Sequence, residues 1–238
     1  MANDGYILPD DQLQDASLTS YMWFITDSLL TKGLRISDKK EEINIIARAR
    51  TLYCLRTLNK ERKGLLLRFL NETALIDIGK TCINLLYADL HEANLVGIIL
   101  DRVNLSGVDL SGADLSGASL VGTDLYNANL SSANLINSNL NKAKLDQANL
   151  SNANMNNAKM AGAHIVGANL TRAYLNGADL TRAYLNGADL SRAYLIGADL
   201  SGVHLQNAKV TQEQLRQAKS FADAIIPDEI LSEGSLQD

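Results

Sequence analysis

A chain of 238 residues that is 46% hydrophobic has enough apolar material for one extended domain and a smaller second one. It contains no run of 18 apolar residues and no transmembrane segment is read; the polar, acidic stretch Met1 to Asp15 lacks the features of a secretory signal, and a cytoplasmic protein is expected. The net charge of −5 is uneven: residues 1–31 carry five acids and no base, residues 32–68 eleven bases against four acids, and residues 81–215 eight bases against eleven acids, so the basic excess sits early in the chain.

Residues 1–80 are expected to form an α-helical N-terminal domain of three to four short helices. The first spans about Ser17 to Thr31 and stops at Gly33. Asp38-Lys-Lys-Glu41 has capping-box form and opens a helix with Ile43, Ile46, Ala47 and Leu52 on one side. Asn59 caps another that runs through Leu65, Leu66 and Leu70. The bases Arg48, Arg50, Arg62, Lys63 and Arg68 read either as the solvated side of these helices or as a surface for an acidic protein, nucleic acid or an anionic membrane. Cys54 and Cys82 have no metal-ligand or CxxC spacing and read as buried free thiols, with a disulfide between them left open.

From Leu85 to Val210 an aliphatic residue stands at every fifth position, in 26 consecutive centres without insertion. Two positions before each centre (i−2) the residue is Ala in 19 of the 26, and Ile, Val, Thr or Ser in the rest. An α-helix would smear centres five apart around its circumference, and a continuous strand would send alternate centres to opposite faces. A chain that turns a corner in every pentapeptide satisfies both constraints, with i−2 and i pointing inward. All eleven glycines between Gly97 and Gly202 fall at i+2, as do Asn127, Asn137, Asn152, Asn157 and Asn207, the residue types that tolerate positive φ. Pro is absent between Pro9 and Pro227, which suits backbone N–H groups bonded to neighbouring coils.

Pentapeptides such as Ala113-Asp-Leu-Ser-Gly117 and Ala128-Asn-Leu-Ser-Ser132 resemble the pentapeptide-repeat family motif A(D/N)LXX. The resemblance implies a mainly β fold, a right-handed quadrilateral β-helix over residues 81–212 with four pentapeptides per coil. That makes about six and a half coils, on the order of 30 Å long at ~4.8 Å per layer. The stretch from Ala47 through Leu70 resembles segments that precede such repeats in cyanobacterial proteins. After Val210, Thr211 to Gln214 has capping-box form, and Leu215, Ala218 and Phe221 are expected to cover the last coil within a C-terminal helical cap and tail over 213–238.

With residues twenty apart stacked, His164, Tyr184 and His204 share a column, and the two histidines lie too far apart to ligate one ion. Thr171 to Leu200 holds three near-copies of a ten-residue unit, which stacks Tyr174 on Tyr194 and Arg172 on Arg192 and sends Arg182 and Tyr184 to the opposite side. These six residues read either as self-stabilising ladders or as a recognition patch. No catalytic residues, cofactor or metal site are found. The expected function is a non-enzymatic interaction scaffold for a protein partner not identifiable from sequence, with a monomer preferred over an oligomer and nucleic acid not expected to bind. The alternative, suggested by the family's quinolone-resistance members that mimic DNA and bind gyrase, is disfavoured by a stem with eight bases against eleven acids.

Overall fold

The computed structural model describes residues 10–31, 42–76, 83–228 and 230. Three helices precede the repeat: α1 (Asp10–Thr31), α2 (Glu42–Thr57) and α3 (Lys60–Glu72). A fourth, α4 (Gln212–Arg216), follows it. Helix α1 starts seven residues before the expected Ser17, because Asp10 and Asp11 place negative charge in its first turn, where the helix dipole favours it. Gly33, the Asp38–Glu41 capping box and Cys82 lie outside the described residues. Asn59 caps α3 through its side-chain oxygen, which accepts from the Arg62 amide at 3.1 Å.

The inward face of α2 differs from the expected apolar stripe. Asn44, Ala47, Thr51, Cys54 and Leu55 are buried, whereas Ile46 is exposed. Thr51 earns its place by hydrogen bonding: its hydroxyl donates to the Ala47 carbonyl at 2.8 Å and pairs with the buried Tyr21 hydroxyl at 2.5 Å. Burial pushes both the Tyr21 hydroxyl and the Cys54 thiol up from their ordinary pKa values. Acids of α1 meet a base of α3, since Arg62 donates to Asp15 at 2.8 Å and to Asp11 at 3.1 Å.

In the repeat, isolated parallel bridges link the i−1 residues of centres twenty positions apart, from Asp89–Asp109 through Asp189–Lys209. The hydrogen-bond rule is uniform. The centre amide donates up to the i−1 carbonyl of the next coil, as Leu90 does to Asp109 at 2.7 Å, and the i−1 amide donates down to the i−2 carbonyl, as Asp109 does to Ala88 at 2.9 Å. Leu, Met and Ile centres and the Ala residues between them are buried and fill the interior. Thr123 and Ser138, the two hydroxyls at i−2, are also buried; each donates to a backbone carbonyl, Leu100 and Leu135 respectively, at 2.7 Å, so neither leaves an unmet polar group.

Every i+2 residue from Tyr87 to Asn207 is left-handed, with φ between 54° and 69°. Glycine and asparagine were the expected occupants, but Arg, Lys, Gln, Glu, Ser and Tyr stand there too, each against a steric cost of ~1–2 kcal/mol. Long side chains at this corner lie over the next coil, often over a glycine: Arg182 Cγ would be 3.2 Å from a β-carbon on Gly202, and Lys142 Cγ 3.7 Å from one on Gly162.

Over residues 211–226 the C-terminal segment combines one short helix with a partial further coil. Helix α4 takes the place of one side, with a complete capping box between Thr211 and Gln214 and Leu215 buried. Gln214 turns its side-chain amide inward and donates to the carbonyls of Leu190 and Ala193 at 2.8 and 2.9 Å. The chain then returns to the coil path one residue out of phase: Ser220 bridges Asp199 and Ile225 bridges His204, both 21 positions apart. Phe221 and Ile226 pack against the core in the centre positions, and Asp223 takes the left-handed corner at φ 57°.

Candidate interaction surface

The coil rule identifies which groups the first coil leaves unmet. Its i−1 and i+1 carbonyls have no coil beneath to supply amides, and these are the groups that the helical bases reach. Arg48 donates through Nε to Asn84 and through Nη2 to Leu86, both at 3.0 Å. The buried Lys63 ammonium lies 3.2 Å from the His91 carbonyl and 2.9 Å from the Asp89 carboxylate. Arg68 donates to Val96 and Asn71 to Ile99, each at 2.7 Å. The orphan Asn94 amide donates to the Lys60 carbonyl of α3 at 2.9 Å. Helices α2 and α3 therefore act as the missing layer beneath the stem and seal an edge that would otherwise template strand pairing.

This placement corrects the outward reading for Arg48, Lys63 and Arg68, whereas Arg50 remains exposed. Arg48, Lys63 and Arg68 are end-cap donors, Arg62 is held by α1, and Arg50 stacks its guanidinium 4.1 Å from the Phe24 ring centre. Asn71 was missed because one uncharged amide near the end of a charged helix gives no sequence signal until its distance from the coil is known.

The repeat-borne candidates divide between two corners. Tyr174 and Tyr194 stack with centroids 4.9 Å apart and ring planes 10° from parallel, and both rings remain exposed. Arg172 and Arg192 sit beside them, exposed, in left-handed conformations (φ 58° and 61°), and make no ion pair or side-chain hydrogen bond among the described residues. On the opposite corner Tyr184 lies between His164 and His204, at 4.8 and 4.9 Å, with Arg182 beside it. Two acids at i−1 positions on other sides are paired: Asp189 with Lys209 at 2.9 Å and Asp199 with Lys219 at 3.5 Å. Hydrogen bonds from Ser191 and Lys209 hold the Asp189 carboxyl down at about 2.

At Tyr174 and Tyr194, though not at Tyr184, the i−1 position has a structural requirement that residue type alone does not show. An Asp or Asn at i−1 accepts the i+1 amide and closes the corner, as Asp109 does for Ser111 at 3.0 Å. Ser119, Lys159, His164, Tyr174 and Tyr194 make no such closure. In each case an Asp or Asn at i+1 of the coil below supplies it instead: Asp101 caps Val121, Asn141 caps Ala161, Asp146 caps Val166, Asn156 caps Asn176 and Asn176 caps Ile196, all within 3.0 Å. The signal was legible as an Asx residue 18 positions before each unusual i−1 residue.

A family comparison agrees with this architecture. The family model described as pentapeptide repeats, in 8 copies, matches residues 83–120, 109–147, 133–172 and 173–212. Among solved structures, the pentapeptide repeat protein Rfr23 from the cyanobacterium Cyanothece 51142 is 29% identical, with 48% of this chain and 89% of that chain covered and a TM-score of 0.45. HetL, a pentapeptide repeat protein involved in heterocyst differentiation regulation from Nostoc sp. strain PCC 7120, is 30% identical over 59% of this chain and 81% of its own, with a TM-score of 0.32. QnrB1, a plasmid-mediated fluoroquinolone resistance protein, is 17% identical over 60% of this chain and 89% of its own, with a TM-score of 0.31. A search of curated proteins finds no match. The repeat, its left-handed corners and the family match together make this chain a member of the pentapeptide-repeat family, with a right-handed β-helical stem and N-terminal helices.

Proposed function

We propose that the chain is a non-enzymatic protein-interaction scaffold. In this reading residues 1–80 close one end, a four-sided stem of about six and a half coils over 81–212 displays side chains in fixed columns, and residues 213–238 finish the other end. The observation that carries it is the pair of exposed, stacked Tyr174 and Tyr194 flanked by Arg172 and Arg192, whose guanidinium groups have no partner among the described residues. Tyr and Arg on a rigid backbone contribute contact area and charge at small entropic cost, which is the composition of interface hot spots. A filled aliphatic interior stands against catalysis within the stem. The buried thiol of Cys54, free among the described residues, suits a reducing compartment such as the cytoplasm.

Affinity capture with quantitative mass spectrometry tests the reading, comparing the native chain with a variant carrying Arg172→Ala, Tyr174→Ala, Arg192→Ala and Tyr194→Ala. The expected result is a protein partner retained by the native chain and lost by the variant. Identical partner lists from both would remove the patch, and turnover of a substrate by the purified protein would overturn the non-enzymatic assignment.

A further inference from the structure

The corner opposite the stacked tyrosines holds an open groove that runs along the stem. Its floor is one i+2 column: Lys142, Gly162, Arg182, Gly202 and Asp223, with Tyr184 and His204 forming a wall. All five floor residues are left-handed, with φ between 56° and 65°. The glycines leave room for the long side chains from the coil below, and the charges recur at every second coil as plus, plus, minus. Lys142, Arg182 and Asp223 make no ion pair or side-chain hydrogen bond among the described residues.

Two features decide what fits. First, the groove offers no strand edge, because its corner amides are already spent within the stem: Lys142 donates to Ala161, Gly162 to Thr181, Arg182 to Ser201 and Gly202 to Ala222, at 2.7–3.0 Å. A ligand that needs backbone pairing finds no donor there, so β-augmentation is ruled out. Second, charges two coils apart are separated by ~9.6 Å at ~4.8 Å per layer. A polyproline II helix rises ~3.1 Å per residue with three residues per turn, so it repeats one face every ~9.3 Å and needs no backbone partner. An extended β-strand repeats its face every ~6.8 Å and falls out of step within one interval.

We propose that this groove docks a polyproline II segment of a partner protein that carries acidic residues at positions n and n+3 and a basic residue at n+6. The acids face Lys142 and Arg182, the base faces Asp223, and the ring of Tyr184, fixed between His164 and His204, packs against the intervening prolines. This inference rests on the scaffold reading and gives one corner of it a ligand chemistry.

The test is fluorescence anisotropy of labelled peptides with the full chain. Glu-Pro-Pro-Glu-Pro-Pro-Lys is expected to bind at least tenfold more tightly than Glu-Pro-Glu-Pro-Pro-Pro-Lys, which has the same composition in the wrong period. Arg182→Glu is expected to abolish that preference and to restore binding to Glu-Pro-Pro-Lys-Pro-Pro-Lys; the corner accommodates the change, since Glu92 already occupies an equivalent left-handed site at φ 56°. Equal binding of the two spacings, or an Arg182→Glu variant that still prefers the original peptide, overturns the proposal, as does tighter binding of a single-stranded oligonucleotide at the same groove. If the peptides fail while capture through Tyr174 and Tyr194 succeeds, only the groove assignment falls; failure of both ends the scaffold reading as well.

Discussion

The Asn94 carbonyl oxygen sits so close to Gly64 that a β-carbon on Gly64 would be 2.0 Å from it. Glycine inside a helix ordinarily costs ~1 kcal/mol relative to alanine, yet here it lets α3 lie directly on the first coil and place the Lys60 carbonyl at the Asn94 amide. Gly64→Ala, a substitution that should favour an isolated helix, is expected instead to destabilise the protein by ~1–3 kcal/mol through forced separation of helix and coil. Thermal unfolding followed by far-UV circular dichroism checks this, and an unchanged or raised melting temperature would contradict it.

Arg48 meets two first-coil carbonyls with one planar fork. Arg48→Ala should cost ~1.5–3 kcal/mol, the range for hydrogen bonds from charged groups, and Arg48→Lys should recover only part of it because an ammonium lacks the fork. Hydrogen exchange is the better readout: faster exchange is expected to be concentrated at the coil beginning near Asn84, while amides near Leu150 keep their protection.

Loss of the borrowed corner cap should be reversible by a change at a different position. Asn156→Ala removes the acceptor for the Asn176 amide and should destabilise by ~0.5–1.5 kcal/mol. Adding Tyr174→Asn supplies a local acceptor two residues before that amide, in the arrangement used by Asp109 and Ser111, so the double variant is expected to be more stable than Asn156→Ala alone. Urea unfolding of the four proteins in the cycle measures the coupling, and strict additivity would refute the capping role.

At Arg172 and Arg192 stability and recognition should separate. Relief of the left-handed strain is worth ~1–2 kcal/mol per residue, against ~0.4–1 kcal/mol for glycine's freer unfolded chain. The variant with both Arg172→Gly and Arg192→Gly is therefore expected to be as stable as the native protein or more so, and to lose the captured partner. A marked fall in stability would show that the arginines serve the fold.

Acid should weaken the stem through its corner carboxylates. Asp189 sits at about 2 in the fold against an ordinary value near 3.8, and Asp109 and Asp199 are also lowered. Ionised carboxylates thus favour the folded state above pH ~4, and the contribution fades as pH falls towards 2. Asp189→Asn keeps an oxygen for the Ser191 amide but not the ion pair with Lys209, so its stability should depend less on pH across that window. Urea midpoints measured from pH 2 to 6 test the difference in slope.

The stem was legible because its period is a local property: an inward centre every five residues follows from residue type, and the glycines and asparagines mark enough of the corners two residues later for the period to place the others. The ends were less legible because their logic is relational. The acids of α1 and the bases of α2 and α3 could be counted, but only the coil's hydrogen-bond rule explains why Arg48, Lys63 and Arg68 face inward. The return of the chain at Phe221 and Ile226 escaped notice because α4 intervenes and shifts the phase by one residue. Their spacing of five, with Ala224 between them, carried the information.

The twenty-residue register also governs how such a stem can change length. Since α2 and α3 grip one particular coil, loss or gain of a single pentapeptide would rotate everything above it by a quarter turn relative to those helices. A ten-residue duplication, like the unit repeated between Thr171 and Leu200, throws each new copy onto the opposite corner. Repeat number in this protein is therefore heritable control over which direction a side chain faces, and only insertions of whole coils would lengthen the rod while keeping both corners in line.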